Sequence, residues 1–184
     1  MEVPLSHRDA KDASRQMLGG LRDVPHFPIE GILFKDIAPL LAKQGVLTSV
    51  LSDILGQMQD IQLDAVLGID ARGFVLGAAL ADRRRCGFVM VRKPGKLPGE
   101  VISFDYTCEY CSGVLQVTAG LIHEGLRCLV VDDLLATGGT ARATADFVKS
   151  QGGEVVGYAF MLEIEALGGR VRLSDAPVIS SMRC

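Results

Sequence analysis

Leu129-Val130-Val131-Asp132-Asp133-Leu134-Leu135-Ala136-Thr137-Gly138-Gly139-Thr140 reads as a buried strand, then paired acids, then a small-residue loop, then the start of a helix over 141–150. A loop of this kind is an anion seat. Its backbone N–H groups converge where the helix begins, and the helix dipole favours negative charge there. Gly138 and Gly139 let the backbone approach a bulky anion, and Thr137 and Thr140 add hydroxyl donors. A phosphate fits such a seat. Two carboxylates beside a phosphate would repel it, so Asp132 and Asp133 make sense only if they face another part of the same ligand, such as ribose hydroxyls or a bound Mg²⁺. Many α/β proteins carry an apolar strand, an acid and a glycine turn with no ligand, but the complete pattern here is narrower. Neither Gly-x-x-x-x-Gly-Lys-Ser/Thr nor Gly-x-Gly-x-x-Gly occurs, so the P-loop and the dinucleotide fingerprint are both absent.

The rest of the chain frames that run. At 184 residues, 48% apolar and 22% charged, it fits one globular domain over 1–184 with a sizeable core. Trp is absent, aromatics are 5% and the net charge is −3, which argues against nucleic-acid binding. An anionic ligand must therefore be drawn by local cations. The polar start of the chain has no apolar stretch of the signal-peptide kind, and no apolar run is long enough to span a bilayer. Cys count is 5, an odd number of scattered thiols that suits a reduced, cytoplasmic protein without membrane attachment.

Apolar residues at Val46, Leu47, Val50, Leu51, Ile54, Leu55 and Met58 predict a helix over 44–59. Further helices are expected at 12–21 and 72–84. Buried strands are expected at 64–69, 87–91, 129–131 and 155–162, with a short final one at 178–179. Residues 24–31, punctuated by Pro25, Pro28 and Gly31, read as a loop. Strands alternating with helices imply an α/β fold with a mainly parallel sheet flanked by helices. Residues 94–122 break the rhythm and read as a long loop leading into an antiparallel β-hairpin, a candidate flexible lid. Ligands of such sheets sit beyond the carboxyl ends of the strands. Asp70-Ala71-Arg72-Gly73, Arg92-Lys93-Pro94-Gly95-Lys96 and Asp132-Asp133 should therefore converge on one edge. Arg72 can hold a pyrophosphate through its guanidinium fork, and the cations at Arg92, Lys93 and Lys96 can neutralise charge on a leaving group.

These segments resemble the adenine-specific branch of the type I phosphoribosyltransferases. The likeness rests on Phe27-Pro28-x-x-Gly31-Ile32-Leu33-Phe34-Lys35-Asp36-Ile37, Ala71-Arg72-Gly73-Phe74, Arg92-Lys93-x-Gly95-Lys96-Leu97-Pro98-Gly99 with Glu109-Tyr110, and residues 132–140, all in the family's order. It implies a fold with an N-terminal base-binding hood, and transfer of a phosphoribosyl group from phosphoribosyl pyrophosphate to N9 of adenine. The products are AMP and pyrophosphate, in purine salvage. It also implies a homodimer and a Mg²⁺ carried mainly by the substrate's phosphates, near Asp132 and Asp133, with no dedicated side-chain ligands.

Residue roles follow from the same likeness. Glu109, Arg92 and Tyr110 would be catalytic, Glu109 handling the proton of the attacking base. Arg72, Lys93, Asp132, Asp133, Ala136, Thr137, Gly138, Gly139 and Thr140 would bind phosphoribosyl pyrophosphate or AMP. Ile32, Leu33, Lys35, Leu134 and Ile164 would bind adenine. Other readings are a phosphoribosyltransferase for hypoxanthine, guanine or orotate, and a nucleotide-sensing paralogue with weakened catalysis. Cys108-Glu109-Tyr110-Cys111 departs from the family, which usually has Leu before the Glu and Gly after the Tyr. Its Cys-x-x-Cys spacing suits zinc or a redox pair, but no second Cys pair or nearby His supplies further ligands.

Overall fold

The computed structural model describes residues 19–27, 29–107 and 112–184. The chain forms two compact units, Met1–Asp53 and Ile54–Cys184. Most of the helix expected over 12–21 lies outside the described residues, and Gly19 and Gly20 form a turn.

In the first unit, the loop expected over 24–31 connects the strands of a hairpin not expected from the sequence, and of its described residues only Val24 and Pro25 lie in a strand. Strand β1 (Arg22–Pro25) pairs antiparallel with β2 (Leu33–Asp36). The register sets Arg22 opposite Asp36 and Asp23 opposite Lys35. Both pairs close as ion pairs, at 2.6 and 2.8 Å. Opposed charges across strands replace the apolar alternation that usually marks a strand, which is why the prolines and glycine dominate a reading of the sequence. Gly31 turns the chain at φ +90°, and its N–H donates to His26 Nδ1 at 3.2 Å. Helix α1 (Ala38–Leu41) follows at once, its first N–H donating to Asp36 Oδ1 at 2.9 Å. Helix α2 (Val46–Gln57), which begins in the first unit and ends in the second, forms where the apolar spacing predicts it. Val46, Val50, Leu51 and Ile54 make its buried stripe.

The second unit is built on a five-stranded sheet of β3 (Ala65–Ile69), β4 (Gly87–Val91), β7 (Arg127–Leu135), β8 (Glu154–Glu163) and β9 (Val178–Arg183). Their spatial order is β4-β3-β7-β8-β9 and every pairing is parallel. Alternate residues of β3 and β7 face opposite ways. Leu67, Ile69, Cys128 and Val130 pack with Ala141, Ala145 and Val148 of α4 (Gly139–Ser150). On the other face lies α3 (Gly73–Arg84). A Cβ on its Gly77 would lie 2.9 Å from the Phe88 ring and 3.3 Å from the Gly68 backbone, so small residues let this helix lie close to the sheet. The central strands are apolar on both sides, and β3 is buried along its whole length.

The predicted antiparallel hairpin is β5 (Val101–Thr107) and β6 (Ser112–Thr118). It is fastened twice. At the sheet edge, Arg92 and Gln116 exchange backbone hydrogen bonds of 2.9 and 2.7 Å. Against α4, Phe104 stacks on Phe147 with ring centroids 4.5 Å apart and planes 10° from parallel.

At the amino edge of the sheet, Asp64 ties the starts of β3 and β7 together. Its carboxylate accepts from Arg127 Nη2 at 2.7 Å, Nε at 2.9 Å and the Arg127 N–H at 3.0 Å. The Arg127 side chain, foremost, holds the Asp64 carboxyl down from 3.8 to about 2. A carboxyl lowered by folding stabilises the native state above its ordinary value and loses that contribution as pH falls through the folded value. Asp64→Asn should therefore flatten the decline of Tm between pH 3.8 and about 2, read from melts at stepped pH. An unchanged slope would mean that Asp64 is not a source of acid sensitivity.

Candidate active site

The three polar segments do meet at the carboxyl edge, because β4, β3 and β7 are adjacent and parallel. After β3 comes Asp70, joined to Ala71 by a cis peptide, and then Arg72 at the head of α3. Arg92 follows β4. Its Nε lies 3.3 Å from Asp70 Oδ2, its Nη1 donates to Lys96 O at 3.0 Å, and its guanidinium sits 5.5 Å from the centroid of the Phe74 ring. Lys93 is exposed and donates its backbone N–H to Asp70 Oδ2 at 3.4 Å. Gln116 Oε1 accepts from Gly95 N–H at 3.1 Å, so the basic loop is pinned to the hairpin.

Strand β7 runs further than expected. It continues through both acids to Leu135, because β8 pairs with it as far as Glu163. Strand alternation then separates the acids. Asp132 and Leu134 line a pocket of about 70 Å³ with Leu135, the run from Ala136 to Ala141, and Phe160. Asp133 is not on that lining. It is buried, and its Oδ2 is held 2.5 Å from Arg72 Nε. Desolvation first, and the neighbouring Asp133 carboxylate second, push the Asp132 carboxyl well above the usual carboxylate range. Gly73 is required beside it, since a Cβ there would lie 2.8 Å from Val131 O and 3.0 Å from Asp132 Oδ1.

The floor of the pocket is the turn into α4, one residue pair earlier than the helix start expected at 141. Gly138 adopts φ +76° at the N-cap. Thr144 Oγ1 donates to Thr140 O at 2.9 Å within the helix. Three glycines let other backbone segments seat this turn. A Cβ on Gly138 would lie 2.8 Å from Gly169 O, one on Gly169 would collide with Ala136 O, and one on Gly139 would collide with Thr107 O. The turn is therefore clamped between the hairpin and helix α5 (Gly169–Arg172).

Of the proposed adenine residues in this unit, Leu134 lines the pocket, whereas Ile164 is half-buried outside its lining and donates its N–H to Leu135 O at 2.9 Å. Ile32, Leu33 and Lys35 belong to the first unit, where Leu33 is exposed and Lys35 pairs with Asp23. Glu109 and Tyr110, with Cys108 and Cys111, lie outside the described residues. Sequence reasoning missed Phe160, Thr107 and Gly169. Phe160 reaches the pocket because it is in register with Asp132, and no local pattern carries that signal. Among the described residues no group of three or more His, Cys, Asp or Glu side chains could hold a metal ion.

A glycine turn at a helix start, paired acids on the strand before it, and cations on two neighbouring loops stand together at the carboxyl edge of the sheet, the arrangement expected of a phosphoribosyltransferase. The phosphoribosyl transferase domain family matches residues 40–178. Adenine phosphoribosyltransferase 2 of Rhizobium etli is 63% identical over 184 residues, covering 100% of both chains. The crystal structure of adenine phosphoribosyltransferase from Rhodothermus marinus superposes with a TM-score of 0.87 at 40% identity, covering 95% of this chain and 99% of that one. The Saccharomyces cerevisiae enzyme, complexed with adenine and an imino-altritol bisphosphate, superposes at 0.83 with 33% identity, covering 94% and 99%. The chain belongs to the adenine phosphoribosyltransferase family of transferase enzymes.

Proposed function

We propose that this chain transfers the 5-phosphoribosyl group of phosphoribosyl pyrophosphate to N9 of adenine, releasing pyrophosphate and forming AMP. The pocket between Asp132 and Ala141 carries the reading, because it offers an anion seat and a carboxylate on one wall. Backbone N–H groups of the turn hold the 5′-phosphate. Asp132 and Asp133 take the ribose hydroxyls, and Arg72, Arg92 and Lys93 serve the pyrophosphate. The N9–C1′ bond forms as the C1′–oxygen bond breaks, the electron pair leaves with pyrophosphate, and Glu109 takes the N9 proton. Charge developing on C1′ is vulnerable to water, so the hairpin acts as the lid, with Tyr110 closing over the site. The segment around Ile32, Leu33 and Lys35 is the hood that reads the adenine edge, and Leu134 and Ile164 flank the ring.

Mg²⁺ suits this site as a partner of the substrate. The donor set is a pair of carboxylates, one already held by Arg72, which fits a cation carried in on phosphate oxygens better than a protein cage. When bound it neutralises pyrophosphate charge. The enzyme works as a cytoplasmic homodimer in this reading. Pyrophosphate release from phosphoribosyl pyrophosphate, measured with adenine, hypoxanthine, guanine or orotate in turn, tests it. Release with adenine is expected. Release with another base alone overturns the adenine assignment, and AMP binding without release for any base points to a nucleotide sensor.

A further inference from the structure

We infer that Arg172 is a binding residue for the 5′-phosphate, supplying the side-chain cation that the phosphate turn lacks. This rests on the proposed function. The turn from Ala136 to Thr140 contains no Lys or Arg. A phosphate ester brings roughly 1.5 to 2 negative charges at neutral pH, and Asp132 and Asp133 stand on the strand just before the turn. Backbone N–H groups must then bind a dianion next to two acids with only partial charges to help.

The nearby guanidiniums are mostly committed elsewhere. Arg72 pairs with Asp133 at 2.5 Å, Arg142 with Asp146 at 2.5 Å and Asp175 at 2.8 Å, and Arg170 with Glu163 at 2.6 Å. Arg172 is different. It is exposed and, among the described residues, its side chain has no ion pair or hydrogen bond. Its Nη1 nonetheless lies 3.1 Å from the point where a Cβ on Gly139 would stand. Its backbone is fixed there, because Gly169 of the same short helix packs against the Ala136 and Gly138 backbone. A fork that close to Gly139, with no partner among the described residues, reaches an anion seated on the turn with a small change of side-chain torsion, and guanidinium geometry suits phosphate oxygens.

Titration calorimetry of the full chain with ribose 5-phosphate, AMP and adenosine tests the inference. Arg172→Ala is expected to weaken ribose 5-phosphate and AMP by about 10- to 100-fold, the range of a charge-assisted hydrogen bond, and to leave adenosine unchanged. KM for phosphoribosyl pyrophosphate should rise while kcat at saturation stays within about threefold, and Arg172→Lys should recover part of the loss because it keeps the charge. Unchanged ribose 5-phosphate binding overturns the inference. So does an equal loss for adenosine, which would make Arg172 a structural support. Failure of the unaltered chain to bind AMP or ribose 5-phosphate would instead overturn the functional reading beneath it.

Discussion

Gly169→Ala is expected to lower kcat/KM for phosphoribosyl pyrophosphate by about 100-fold, the scale of a misplacement near 1 Å in a reacting geometry. The residue touches no proposed substrate atom. Its α-carbon faces the carbonyl of Ala136 so closely that a methyl group cannot enter, and the same methyl would meet Leu135 Cδ1 at 2.8 Å. Backbone cannot swing aside as a flexible side chain can, so either the phosphate turn or α5 must move. Overpacking of this kind costs about 1–3 kcal/mol, which leaves the sheet folded. Steady-state kinetics and urea unfolding together check the claim. A large stability loss with normal kcat/KM would show that the turn keeps its shape without α5.

Glu109→Gln is expected to slow turnover by about 10²- to 10⁴-fold, the usual contribution of a positioned acid–base group, while AMP binding stays nearly intact. The amide cannot take the N9 proton, yet it matches the carboxylate in size. Thr107 and Ser112, the described residues on either side of Glu109 in the sequence, are paired across the hairpin, and the Thr107 carbonyl rests on Gly139. Single-turnover rates with calorimetric AMP titrations separate the two effects, and unchanged turnover would remove Glu109 from the mechanism.

The parallel sheet was legible because strands buried on both faces read as continuous apolar runs, as at Ala65–Ile69, and because Val46, Val50, Leu51 and Ile54 repeat at helical spacing. The hairpin of residues 22–36 was not legible. It is held by charge pairs such as Arg22–Asp36 and not by apolar alternation. The convergence of Arg72, Arg92 and Asp132 followed from strand order alone, since equivalent ends of parallel neighbours share an edge. What escaped was everything set by distant backbone contact: the length of β7 beyond its acids, the placement of Phe160, and the seating of residues 136–139 against Gly169 and Thr107. Separation along the chain hides such contacts from any local pattern.

If Arg72 and Asp133 hold the substrate as proposed, the 2.5 Å pair between them makes ligand capture a competition. Under the proposed roles, an incoming pyrophosphate would have to win the guanidinium from Asp133, and ribose hydroxyls would have to take over the carboxylate that Arg72 leaves. Affinity then reports only the difference between two bonded arrangements. Free pyrophosphate, arriving without a sugar, would draw Arg72 away and strand a carboxylate only 7% exposed, a heavily penalised outcome. With those roles the pair would reward a donor that brings both halves together, and would favour the departure of pyrophosphate once the bond between them has broken.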